Sequence, residues 1–224
     1  MNITKFLAEL ASISLPSVFN PYSDICPHRD LPGAAKLRRQ NLQAMLQSLL
    51  DVGADTVWMG RDLGYRGGRR TGLALTDESH LPWVARVYRG ANAVRTTRGD
   101  EVSERTAAEI WGALPQLDVP PLLWNVFPFH PHEEGDAMSN RKFKASELAQ
   151  VEDINALLFR ELNIRRAVSI GQDAAQYAKR FGLKMSIVRH PSYGGTKEFR
   201  QGIAAVYGLR SVRPGAASTQ VALF

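Results

Sequence analysis

Residues 185–196 read Met-Ser-Ile-Val-Arg-His-Pro-Ser-Tyr-Gly-Gly-Thr, and this stretch restricts the fold more than any other. Its apolar opening is too short for a helix and is bounded by turn residues, so it predicts a buried strand. His190-Pro191-Ser192 follows directly, then Tyr193 and a Gly-Gly pair. After Thr196, the residues Phe199, Ile203, Val206 and Tyr207 recur at helical spacing until Gly208, a helix-stop residue. A strand therefore runs through a sharp loop into a helix. In open α/β sheets ligands sit beyond the carboxyl ends of strands. A histidine held there beside a serine and two glycines can face a negatively charged substrate.

The rest of the chain repeats the alternation. Phe6, Leu7 and Leu10 mark a short helix within an irregular arm over 1–33, broken by Pro16, Pro21, Pro27 and Pro32. Leu42, Met45, Leu46, Leu49 and Leu50 give a helix over 34–52, closed by Gly53. Thr56–Met59 is a strand ending in Gly60. Residues 79–102 are polar and basic, mostly loop with some helix. Ser103 is expected to cap a helix through Ile110 and Trp111. Leu122–Phe129 is a third strand with Asn125 inside its apolar run. Ser146 is expected to cap a helix through Leu148, Val151, Leu157 and Leu158. Ala167–Ile170 is a strand, followed by a helix with Tyr177, Ala178 and Phe181 that stops at Gly182. Alternating strands and helices predict an α/β sandwich around a mostly parallel sheet. Right-handed crossovers bring the ends near Gly60, Asn125 and His190 to one edge.

Residues 60–78 place five glycines among four arginines, with Asp62 just past the strand. Glycine lets backbone N–H groups approach a ligand, and arginine offers forked donors to phosphate. No Gly-Lys-Ser/Thr closes the loop, so it is not a P-loop. The net charge of +6 favours a polyanionic partner, although a basic enzyme without a nucleic-acid role has the same charge. Cys26 is the one cysteine, which rules out an internal disulfide, an iron–sulfur cluster and a Cys-rich zinc site. His130-Pro131-His132-Glu133-Glu134 contains ligand-type residues, but its prolines disrupt ligand spacing, so it reads as a solvated loop. No apolar run is long enough for a membrane helix and no signal peptide is expected, which points to an intracellular, reduced setting.

Three stretches occur together in order: Gly60-Arg61-Asp62-Leu63-Gly64, Leu122-Leu123-Trp124-Asn125 and His190-Pro191-Ser192. They resemble the first active-site motif, the asparagine strand and the His-Pro-Ser motif of the uracil-DNA glycosylase superfamily. The resemblance covers most of residues 50–208. It implies a three-layer α/β/α sandwich with a central four-stranded, mostly parallel sheet. It further implies a single glycosylase-like domain over 1–224, with the arm at 1–33 and a tail at 209–224. The implied activity is hydrolytic removal of a flipped-out uracil from DNA, leaving an abasic site, with no cofactor. The expected partner is DNA carrying uracil or another damaged base. The expected setting is a monomer in the cytoplasm, or at the nucleoid in a bacterium, with no membrane contact.

Transferred residue by residue, the resemblance gives Asp62 the attacking water and the sugar cation, and His190 the charge developing on the base. Asn125 pairs with the base edge, with Gly60, Arg61, Gly64, Tyr65 and Leu75 around the base. Ser192 grips a phosphate, and Tyr193, Gly194, Arg69, Arg70 and Lys197 complete the DNA-binding set. The chain departs from the best-known branch at Leu63 and Gly64, where that branch has proline and tyrosine, and at Leu75, where it stacks an aromatic ring. Gly64 leaves an edge of the base pocket open unless Tyr65 folds over it, so activity on lesions beyond uracil is expected. The alternatives are a glycosylase for deaminated purines or mismatched thymine, and a non-catalytic DNA-binding module on the same scaffold.

Overall fold

The structure, a computed structural model, describes residues 1–213. Residues 214–224, including Pro214 and Gly215 of the expected tail, lie outside the described residues. The helices are α1 (Ile3–Ser12), α2 (Ala34–Val52), α3 (Gly68–Thr71), α4 (Leu81–Val87), α5 (Arg105–Ala113), α6 (Ala145–Ala149), α7 (Glu152–Glu161), α8 (Gln172–Ala178) and α9 (Thr196–Tyr207). The strands are β1 (Val18–Phe19), β2 (Thr56–Asp62), β3 (Leu122–Phe127), β4 (His130–Pro131), β5 (Arg166–Ile170) and β6 (Lys184–Val188).

Four strands form a fully parallel sheet in the order β3-β2-β5-β6. The fold is a three-layer α/β/α sandwich. Parallel strands need crossover helices, and those helices cover both faces. Side chains alternate between faces along a strand. Trp58 is in register with Leu123, and Met59 with Trp124, so the two tryptophans point to opposite layers. Trp58 meets Phe199 edge-on and donates from its indole N–H to the Tyr207 hydroxyl at 2.7 Å, both on α9. Helix α5 joins that layer, where Arg200 clasps Glu109 at 2.6 and 2.7 Å. Trp124 packs against Phe6 of α1 and donates to the Asn155 side-chain oxygen of α7 at 2.9 Å. The remaining pair, β1 with β4, is a short antiparallel clip between the arm and the segment after β3.

Several local expectations change. Strand β2 runs on through Gly60 to Asp62, so the aspartate belongs to the strand end rather than to the loop. Strand β6 is not buried: it is the sheet's edge, and only Val188 is fully covered. Its apolar residues read as core because a short apolar run does not report how fully other elements cover the sheet there; β3, the other edge, is buried throughout. The cap of α5 is Glu104, one residue beyond Ser103. The helix expected from Ser146 is two helices, capped at Lys144 and Val151. Beyond α9, Val212 is buried and Leu209 packs on the core, so the tail's first residues belong to the packed molecule.

Asn155 is a polar tie inside the α7 layer. It accepts from Trp124 and donates from its amide nitrogen to the Val126 carbonyl at 2.8 Å, fully buried. Asn155→Ala leaves both β3 groups without partners, and each buried orphan costs about 1–3 kcal/mol. We expect about 2–4 kcal/mol of destabilisation in urea unfolding, with an unchanged denaturant slope.

Candidate active site

The C-terminal ends of β2, β3, β5 and β6 open into a single large cleft of about 1080 Å³. Gly60, Arg61, Asp62 and Gly64 arrive from β2 and its loop, Asn125 from β3, Gly171 and Asp173 from the start of α8, and His190, Ser192 and Tyr193 from the loop after β6. The parallel register explains the convergence. Gly60 lies opposite Asn125, and a Cβ at Gly60 would overlap the Asn125 amide oxygen and press on Leu75. Only glycine lets the asparagine fold over β2 here. Asn125 Oδ1 is buried and has no hydrogen-bond partner among the described residues. A buried polar atom without a partner is uncommon in native proteins and marks a position where a ligand or water is expected to bind.

Two groups of opposite character flank that amide. Asp62 is largely enclosed. Burial holds its carboxyl above the ordinary aspartate value, and the bonded Arg61 guanidinium opposes the rise. Arg61 Nε donates to Asp62 at 2.6 Å, and Arg61 reaches Asp173 at 3.0 Å. Arg61, expected at the base, is therefore committed to carboxylates. On the other side, the Ser192 backbone N–H donates to His190 Nδ1 at 3.2 Å, and the Ser192 hydroxyl lies 2.7 Å from the same nitrogen. An accepting Nδ1 puts the ring proton on Nε2. Burial, then the charges of Arg189 and Arg61, lower the His190 pKa and keep the imidazole neutral. Ser192, expected on a phosphate, here fixes the histidine's tautomer.

The remaining assigned residues divide. Leu75 lines the cleft and has a left-handed backbone, φ 55°, unusual for leucine. Tyr193 stands at the rim with its side chain almost wholly exposed and φ 51°. Gly194 and Lys197 are exposed just beyond it. Tyr65 does not fold over Gly64. Its backbone N–H donates to Asn140, and its ring turns toward His130.

Arg69 and Arg70 are corrected outright. Both are buried. Arg69 stacks on Phe19 at 3.9 Å and bonds His130 Nδ1 and the Ala137 carbonyl. Arg70 bonds Glu78 at 2.9 Å and Thr97 at 3.0 Å. Their charge is consumed inside the molecule, where an unpaired guanidinium would be costly. His130 is likewise internal: burial, then Arg69, lower its pKa to about 4. No group of metal-ligating side chains occurs among the described residues. The cations that do face outward at the cleft are Arg66, Arg105 and Arg189. Arg105 and Glu104, both lining the cleft, open the helix expected from Ser103, and no motif set them apart as cleft residues.

No protein-family model matches the chain, and no curated protein matches it in sequence. Among solved structures, the crystal structure of wild-type SMUG2 from Pedobacter heparinus superposes with a TM-score of 0.64. The match spans 92% of this chain and 95% of that one at 15% identity, so the likeness is one of fold.

Because Arg70 is an internal tie, Arg70→Met leaves the buried Glu78 with one guanidinium fewer. We expect a loss of about 3 kcal/mol, the low end for breaking a buried pair, because Arg95 still reaches Glu78 at 3.1 Å. Thermal unfolding measures it. Unchanged stability would return Arg70 to the surface role.

Proposed function

We propose that the cleft removes a damaged base, uracil in the first instance, from DNA by hydrolysing the N-glycosidic bond. The unpartnered Asn125 amide oxygen in the cleft floor carries this reading. An amide there offers a donor and an acceptor to the edge of a base, and a base in a duplex reaches such a depth only when flipped out. The fold shared with SMUG2 supplies the scaffold the reading needs, parallel strand ends meeting at one cleft.

The chemistry follows from the flanking groups. As the bond from C1′ to the base nitrogen breaks, its electron pair leaves with the base, and positive charge grows on the sugar. The neutral His190 donates from Nε2 toward the oxygen of the departing base, where negative charge collects. The Asp62 carboxylate faces the sugar cation and orients the water whose oxygen bonds to C1′; the water's proton passes to Asp62 and then to solvent. Groups aimed in advance at developing charge are commonly the largest catalytic term. Leu75 packs against the base plane. Arg66, Arg105 and Arg189 meet phosphates at the rim, with Tyr193 placed to stack on a base of the opened strand. The purine or mismatched-thymine alternative uses the same groups, and the binding-module alternative leaves Asp62 and His190 without work.

Asp62→Asn keeps the shape and removes the charge. Single-turnover base excision from a uracil oligonucleotide should fall at least ~100-fold while DNA binding persists. Near-parental cleavage would reduce Asp62 to a turn residue.

Arg66→Ala with Arg189→Ala should weaken binding to every sequence alike. The slope of log affinity against log salt should flatten by about 0.9 for each phosphate no longer neutralised. An unchanged slope would mean that the rim cations touch no phosphate.

A further inference from the structure

Glu104 is the N-cap residue of α5, yet its side chain caps nothing. Its backbone N–H is held by Asp77 at 2.6 Å, and the side chain turns away from the helix into the cleft wall. The glycines of the β2 loop make room for it. A Cβ at Gly67 would overlap the carboxyl, and one at Gly64 would stand 3.4 Å from Oε1. The open edge expected at Gly64 is therefore occupied by a carboxyl from another element. Among the described residues, no hydrogen bond or ion pair engages either carboxyl oxygen.

We infer that Glu104 is a base-reading residue of the cleft, whose carboxylic acid donates a hydrogen bond to a carbonyl oxygen of the flipped base. The inference rests on the glycosylase reading and deepens it. Deamination replaces an amino group with a carbonyl, so the O–H of the acid pairs with the lesion, whereas an amino group in its place leaves that O–H without an acceptor. A buried site built for one hydrogen bond discriminates strongly against bases that cannot complete it. The surroundings supply the proton. Burial, then the charge of Asp77 behind the carboxyl, push Glu104 up to about 7, with Arg66 opposing. The other charged or titratable groups of the cleft are Arg61 and Asp62 from β2, Arg105 from α5, Asp173 from α8, and Arg189, His190 and Tyr193 from the loop after β6.

The experiment compares the parent protein with Glu104→Gln and Glu104→Ala in single-turnover excision of uracil between about pH 5.5 and 8.5, a window spanning that value. The parental rate should fall about tenfold as the pH climbs through 7, because the acid loses the proton it donates. Glu104→Gln, whose amide donates at every pH, should keep the acid-side rate within about threefold and lose the alkaline fall. Glu104→Ala should be at least about tenfold slower at the acid end. Melting temperatures read the same proton without activity. A carboxyl whose folded pKa exceeds its unfolded one costs stability as pH rises through the folded value. The loss builds from the ordinary glutamate value of 4.5 up to the folded value, so Glu104→Gln should gain on the parent by more at pH 8.5 than at pH 5.5. An alkaline limb that survives in Glu104→Gln, a flat parental profile, or parental rates in Glu104→Ala overturns the inference while leaving the glycosylase reading intact. Failure of the parent to excise any base overturns both.

Discussion

The contact between Gly60 and Asn125 is the constraint on which the cleft depends. Two parallel strands in fixed register put a residue without a side chain beside an amide, and the amide folds across the gap. The arrangement leaves Asn125 Oδ1 buried without a partner. Such an orphan costs about 1–3 kcal/mol. The cost persists because β2 and β3 are locked by the tryptophans beneath them, Trp58 into the α9 layer and Trp124 into the α7 layer. The sheet's interior thus holds the strand ends in a geometry they would not adopt alone. Leu75 and Tyr193, non-glycine residues in the left-handed region on either side of the cleft, belong to the same pattern of local strain sustained by a rigid frame.

Charge is sorted by depth. Arginines that face inward are held within the protein: Arg38 on Asp30 and Arg70 on Glu78 as ion pairs, and Arg69 by the neutral His130, the Ala137 carbonyl and the Phe19 ring. These pairs pin the irregular arm and the glycine-rich loop to the body of the molecule. Arginines at the mouth remain exposed and give the cleft a cationic rim. The internal ion pairs cancel within the formal charge, so its excess of +6 resides outside them. What reaches the rim is concentrated around one opening, which favours electrostatic steering toward that opening.

Much of the architecture was legible in the chain. Short apolar runs and helical periodicities located every strand of the parallel sheet and the helices packed on it, and the parallel topology then required Gly60, Asn125 and His190 to share an edge. Three things were not legible, each for a definite reason. The exposure of β6 depends on what packs over its faces, since β3, the sheet's other edge, is fully buried. The burial of Arg69 and Arg70 depends on Phe19, Thr97 and His130, which come from distant segments and turn an apparent phosphate loop into an internal network. Glu104 stands at the start of an expected helix with no motif to mark it, and only the absence of side chains at Gly64 and Gly67, far earlier in the chain, gives its carboxyl a place.

The cleft's ionisable groups work through their differences. Asp62 and Glu104 are both enclosed carboxyls raised by burial, but Arg61 is bonded to one, while the charge acting most strongly on the other, Asp77, is of like sign. Arg61 favours the ionised form of Asp62, suited to a growing cation. Asp77 favours the protonated form of Glu104, suited to a carbonyl. His190 is neutral for a third reason, desolvation beside two guanidinium groups, and its Nε2 proton is set by Ser192. One cleft can then present an anion and two neutral donors at the same pH, each held by its own neighbours. This separation of roles by environment is what the proposed hydrolysis, in which a bond splits into a cation and an anion, requires.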